Sequence, residues 1–222
     1  MDGVEEADLD PIEIGRLRNI IKAHRSTSPL LRLSDSEMLI SIGAVRKGKV
    51  TRAGFLLLGA ADRLTDLLPD HEVIYLHHSS PTELDQRLDL KAPLLYVMER
   101  LTETINARNP FHTLKKGFFH INIPAFPEES YREAILNAVI HRDYLEPGSV
   151  YIRHSDREMA ISSPGGFIGG ITPENVLQAE PRARNRLLAE VFQMIGLVER
   201  AGNRPTPYLY PHPGIRQAGP SL

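Results

Sequence analysis

Apolar positions recur at helical spacing over 12–24, where Ile14, Leu17, Ile20 and Ile21 share one stripe. Ser34-Asp35-Ser36-Glu37 is a capping-box pattern ahead of Met38, Leu39 and Ile42, which predicts a short helix stopped at Gly43. Arg46-Lys47-Gly48-Lys49 reads as a turn between short extended pieces. Thr51 can cap a helix over 52–61 that is apolar on most sides and therefore buried. Over 72–78, Val73, Tyr75 and His77 alternate with Ile74, Leu76 and His78, as a strand requires. Leu95, Met98, Leu101 and Ile105 predict a long helix over 93–107. Phe119, Ile121 and Ile123 put a strand over 117–123, and a helix follows Pro127 to about Ile140. A hairpin about Ser155-Asp156 joins 150–153 to 158–162, and a last helix over 184–195 ends at Gly196.

Helices with short strands thus come first, then strand, helix, hairpin and helix. That order predicts an α+β fold with a boundary within 109–116. The expected units are a helical and α/β portion over 9–112 and a second domain over 113–203. No internal repeat is visible. Five of the 17 prolines fall within 205–222, where periodicity stops, so 204–222 reads as an extended, poorly ordered tail.

Composition narrows the function classes. The 222 residues can bury a real core and contain no cysteine, which excludes disulfides, thiolate zinc sites and a cysteine nucleophile. A balance of 26 basic and 28 acidic residues argues against a whole-surface nucleic-acid binder. The acidic N-terminus is not a secretory signal, and the longest apolar run is far short of a membrane span. A soluble cytoplasmic protein with no membrane partner is the expectation. Two basic clusters, Arg46, Lys47, Lys49 and Arg52, and then Arg182, Arg184 and Arg186, read as solvated faces or as local DNA contacts.

Several motifs fail on their chemistry. Gly43 to Lys49 has the spacing of a phosphate-binding P-loop, but Val50 stands where a magnesium-binding hydroxyl is needed. His141-Arg142-Asp143 lacks the downstream asparagine of a kinase loop, since position 148 is glycine. His77 and His78 point to opposite strand faces and make poor co-ligands. Gly165-Gly166 and Gly169-Gly170 lack dinucleotide spacing. They read either as a strand-to-helix connection or as a loop that lets backbone approach a phosphate or base.

The most specific stretch is 131–144. Glu133, Asn137 and His141 are spaced by four and lie along one helical face, with Ala134, Ile135, Ala138 and Val139 packing the rest. A carboxylate there can activate a water, and a carboxamide oxygen can bind a hard cation. A half-exposed amphipathic helix with a polar edge fits the same spacing.

With Ser163-Pro164-Gly165-Gly166, Gly169-Gly170-Ile171-Thr172-Pro173-Glu174-Asn175 and Arg184-Asn185-Arg186-Leu187-Leu188-Ala189-Glu190 added, the sequence resembles a bacterial family. These are the ATP-binding transcriptional regulators with a RecG-like helicase C-terminal region, in which a Schlafen AlbA-type DNA-binding domain precedes a divergent GHKL ATPase domain. Leu33-Ser34-Asp35, Thr51-Arg52-Ala53-Gly54 and Glu72-Val73-Ile74 fit as well. The resemblance implies a winged-helix-like and α/β front portion and a Bergerat-type α/β sandwich. It assigns Glu133 to orienting the attacking water and Asn137 to magnesium. Asn137, His141, Ser163, Gly165, Gly166, Gly169 and Gly170 would line an ATP site.

Two departures bear on that reading. Ser163 stands where the family's aspartate would read the adenine amino group, and no glycine-rich phosphate lid follows Glu199-Arg200. Against the family the chain looks truncated, with the DNA-binding front absent. The resemblance implies an ATP-binding regulatory module with weak ATP hydrolysis, contacting DNA through a separate domain and forming a homo-oligomer. The departures imply instead a non-enzymatic DNA-associated or protein-interaction scaffold with a decayed nucleotide site. A helicase motor needs a true P-loop, which this chain lacks.

Overall fold

The computed structural model describes residues 3–80, 82–166, 183–198 and 215–217. The fold is α+β. Its helices are α1 (Pro11–His24), α2 (Asp35–Ser41), α3 (Arg52–Leu58), α4 (Ala61–Leu67), α5 (Leu94–Arg108), α6 (Glu128–His141) and α7 (Arg186–Ile195). Its strands are β1 (Val45–Arg46), β2 (Lys49–Val50), β3 (Val73–Ser80), β4 (Glu83–Leu90), β5 (Phe111–Lys116), β6 (Phe119–Pro124), β7 (Val150–His154), β8 (Met159–Ser162) and β9 (Ile215–Gln217).

The front of the chain folds as its local signals dictate. Ser34 and Glu37 close a reciprocal capping box on α2. Lys47 and Gly48 both take positive φ in the turn between β1 and β2. The Thr51 hydroxyl accepts from Gly54 N at 3.1 Å and caps α3, so it serves backbone and not a cation. The P-loop-like spacing is therefore a β-hairpin turn after a helix. α3 stops at Leu58, three residues short of the predicted end, because Gly59 is extended and bridges to Leu9.

β4-β3-β7-β8-β9 form one mixed sheet, and it takes two strands from before residue 112 and three from after it. β3 and β7 pair in parallel, with Val73 opposite Val150 and His77 opposite His154. Val73, Tyr75, Val150, Ile152, Met159 and Ile161 share the buried face, and Ile152 sits between Tyr75 and Ile161. The period-2 alternation read over β3 is thus the inside-outside alternation of the sheet. α6 packs on β8 and against α5 and α7, while α1 and α3 close the other side of α5.

The sequence pattern missed α4, β4 and β5. β4 reads Glu-Leu-Asp-Gln-Arg-Leu-Asp-Leu, an exposed edge with too few apolar residues to signal a strand. β5 falls in the stretch read as a boundary and pairs with β6 in a separate two-stranded ribbon. Of the proline-rich stretch read as a tail, 215–217 forms β9 beside β8, and its other residues lie outside the described ones.

Candidate functional site

α6 carries the predicted polar stripe. Glu133, Asn137 and His141 are all half-buried along its length, while Ala134, Ile135, Ala138 and Val139 are buried on the opposite side. Burial raises the Glu133 carboxyl above its ordinary range. Among the described residues, neither Glu133 nor Asn137 has a side-chain hydrogen-bond partner. Burial first, and then the Arg184 guanidinium, lower the pKa of His141 and favour its neutral imidazole.

The C-terminal end of α6 is fastened to the glycine loop. Asp143 N donates to Pro164 O at 2.9 Å. Gly165 sits at φ +110°, where a Cβ would lie 2.9 Å from Asp143 Cβ, so both its backbone angle and its space require glycine. Arg184 then bridges the two segments, donating to Asp143 Oδ2 at 2.7 Å and to Gly166 O at 2.8 Å. Asn185 donates to Ile140 O and Arg142 O, both at 2.8 Å. The start of α7, the end of α6 and the glycine loop therefore form one hydrogen-bonded corner.

Arg142 runs the opposite way. It is almost wholly buried, lies over the Tyr144 ring and donates to Asp70 O at 2.6 Å. Ser149 donates to Glu72 from the same loop. These two bonds tie the corner to the segment that leads into β3.

The structure thus brings together His141, Ser163, Gly165 and Gly166 at the top of α6, with Asn137 and Glu133 one and two turns below. Gly169 and Gly170 lie outside the described residues. Sequence reasoning missed Arg184 and Asn185 as members of the corner. The only signal was their adjacency at the head of a helix, and it was read as a basic cluster. Within that cluster Arg184 is engaged by Asp143, Arg186 pairs with Glu190, and Arg182 lies outside the described residues. The Arg46–Lys49 turn is exposed.

The donor set was tested against a nucleotide with magnesium. No group of three carboxylate or imidazole ligands forms a metal cage among the described residues. That suits magnesium, which keeps several waters and is held largely by phosphate oxygens. Unpartnered Glu133 and Asn137 fit such a cation. Base recognition fits less well. Ser163 offers no carboxylate, and nearby Asp143 is committed on both oxygens, to Arg184 and to Leu145 N.

Residues 148–203 match the family model described as "Putative ATP-dependent DNA helicase recG C-terminal". This stretch, which carries β7, β8, the glycine loop and α7, is an ATPase-like region related to that group. Residues 1–74 match a domain of unknown function, DUF8451. α6 lies between the two matched stretches. No curated protein matches the chain. The crystal structure of the DIP2311 protein from Corynebacterium diphtheriae is similar, with a TM-score of 0.75 and 27% identity over 89% of this chain. The alignment covers 38% of that protein, so the chain spans well under half of its length. Among the described residues no helix is long and apolar enough to cross a membrane.

Proposed function

We propose that the chain is a nucleotide-binding regulatory module of a transcription regulator, built on a divergent GHKL-type site and hydrolysing ATP weakly. The observation that carries this reading is the joining of two things. The unpartnered Glu133-Asn137 stripe of α6 ends on the Gly165 loop of the ATPase-like region. Bound magnesium would neutralise phosphate charge, and Asn137 would hold it through its carboxamide oxygen. Glu133, its carboxyl already raised by burial, would orient a water and accept its proton. Neutral His141 would offer a ring nitrogen at the top of the stripe, and Gly165 and Gly166 would let backbone approach the ligand. DNA contact belongs to a separate domain in this reading, since the exposed basic groups here are few.

Calorimetry with ATP and magnesium on the wild type and on Asn137→Ala tests it. Saturable binding weakened about tenfold or more by Asn137→Ala is the expected result. No heat from either protein at millimolar nucleotide would remove the proposal.

A second reading, a scaffold with a decayed site, is favoured by Ser163 and by the full commitment of Asp143. An unread adenine edge leaves polar groups unpaired and weakens selection. Measurable turnover that disappears in Glu133→Gln would count decisively against it.

A further inference from the structure

The ribbon of β5 and β6 stands apart from the core. Its register places Leu114 opposite Ile121 and His112 opposite Ile123, so Leu114, Ile121, Ile123 and Phe119 fall on one face. The other face carries Thr113 hydrogen-bonded to Asn122, and Lys115 opposite His120. Every large apolar residue of the first face is about half exposed or more, and Phe118 at the turn is wholly exposed. Together they present on the order of 500 Å² of apolar side chain, as much as the largest patches monomers leave uncovered.

The ribbon is held at its base alone. Asn109 donates to Phe126 O and accepts from Phe126 N, and Ala125 N donates to Pro110 O. A two-stranded ribbon in water is marginal by itself, so an amphipathic one calls for a cover on its apolar face.

We infer that this face is a homodimer interface, in which two ribbons pack antiparallel, apolar face to apolar face. Charge favours a second copy as the cover. No acidic residue occurs between Asn109 and Pro127, and Lys115 near the tip is exposed. Exposed Glu128 and Glu129 lie just past the base, at the start of α6. Six-residue strands separate tip from base by about 20 Å. Antiparallel packing therefore sets each tip over the acidic base of the other copy, and the middle residues Leu114 and Ile121 meet their own counterparts near the two-fold axis. With the acidic base included, the face approaches the roughly 800 Å² per partner of a standard interface. A nucleic-acid duplex is a poorer match, because the exposed face is aliphatic and its hydrogen-bonding side chains lie on the opposite one.

Sedimentation velocity on the full chain across the micromolar range tests this, with circular dichroism as the folding control. A concentration-dependent dimer is expected, weakened about tenfold or more by Ile121→Glu and little changed by Asn122→Glu. Lys115→Glu should also weaken it, and Glu129→Lys added to that variant should restore it. The chain has no cysteine, so single cysteines report directly: Ile121→Cys should give an oxidised dimer and Asn122→Cys should not. A monomer at all concentrations overturns the inference. So does a dimer that Ile121→Glu leaves intact, or a monomer whose ribbon variants lose duplex DNA binding instead.

Discussion

Asn185 caps a helix that is not its own. Its side chain donates to Ile140 O and Arg142 O at the end of α6, 45 and 43 residues earlier, and makes no cap bond to α7. The polar stripe of α6 is thus aligned by the helix that follows the glycine loop. Asn185→Ala should lower stability by about 1 to 3 kcal/mol, because two carbonyls lose their partner in a half-buried corner. Urea unfolding measures it, and a change within error would show that the cap carries little.

Gly165 and Gly166 should respond in opposite ways. Gly165→Ala meets both a φ of +110° and the Asp143 contact, whereas an added Cβ at Gly166 meets nothing within 4 Å. The first should cost about 2 kcal/mol or more, and the second should stay within about 0.5 kcal/mol. Equal effects in thermal unfolding would contradict the close packing of loop and helix.

Arg184 should set the protonation of His141. Its charge helps to lower the His141 pKa, second to burial. Arg184→Met should therefore raise that pKa, read by NMR titration of the ring protons. An unchanged or lower value would place the guanidinium field elsewhere.

Two buried histidines make the fold acid-sensitive. Burial is the main cause that brings His71 and His154 down to about 4 from an ordinary 6.5. Between those values the unfolded chain binds protons that the folded one refuses. Stability is therefore full above pH 6.5 and falls as pH drops toward 4. Near the middle of that window the slope should be roughly 2 to 3 kcal/mol per pH unit for the pair. A flat urea midpoint between pH 6.5 and 5 would exclude this.

Glu133→Gln should keep the fold or stabilise it slightly, since an unpartnered carboxylate in a half-buried place is costly. A clear loss of stability in denaturant would mean that Glu133 is structural.

Legibility followed the range of the interactions. Capping at Ser34 and Thr51, the stripe on α6 and the stop at Gly196 rest on neighbours within a turn, and all stood in the sequence. β4 did not, because an exposed edge strand needs no apolar alternation once β3 supplies the partner. β5 was hidden for the same reason, being defined by β6 across a turn. The parallel pairing of β3 with β7 and the reach of Arg184 to Asp143 join residues more than 40 positions apart, which no local pattern encodes. The α6 half of the candidate site was therefore readable, and the corner that orients it was not.

The deep seat of Arg142 bears on how such chains can be rearranged. Its guanidinium ends on Asp70 O, and β7 lies beside β3, so the ATPase-like stretch has part of its foundation in the first third of the chain. A recombination event that moved 148–203 alone would strand β7 without its parallel neighbour. Inheritance of the site as a working unit must then carry the 70–90 segment with it, and that pair is the smallest cassette a graft could use.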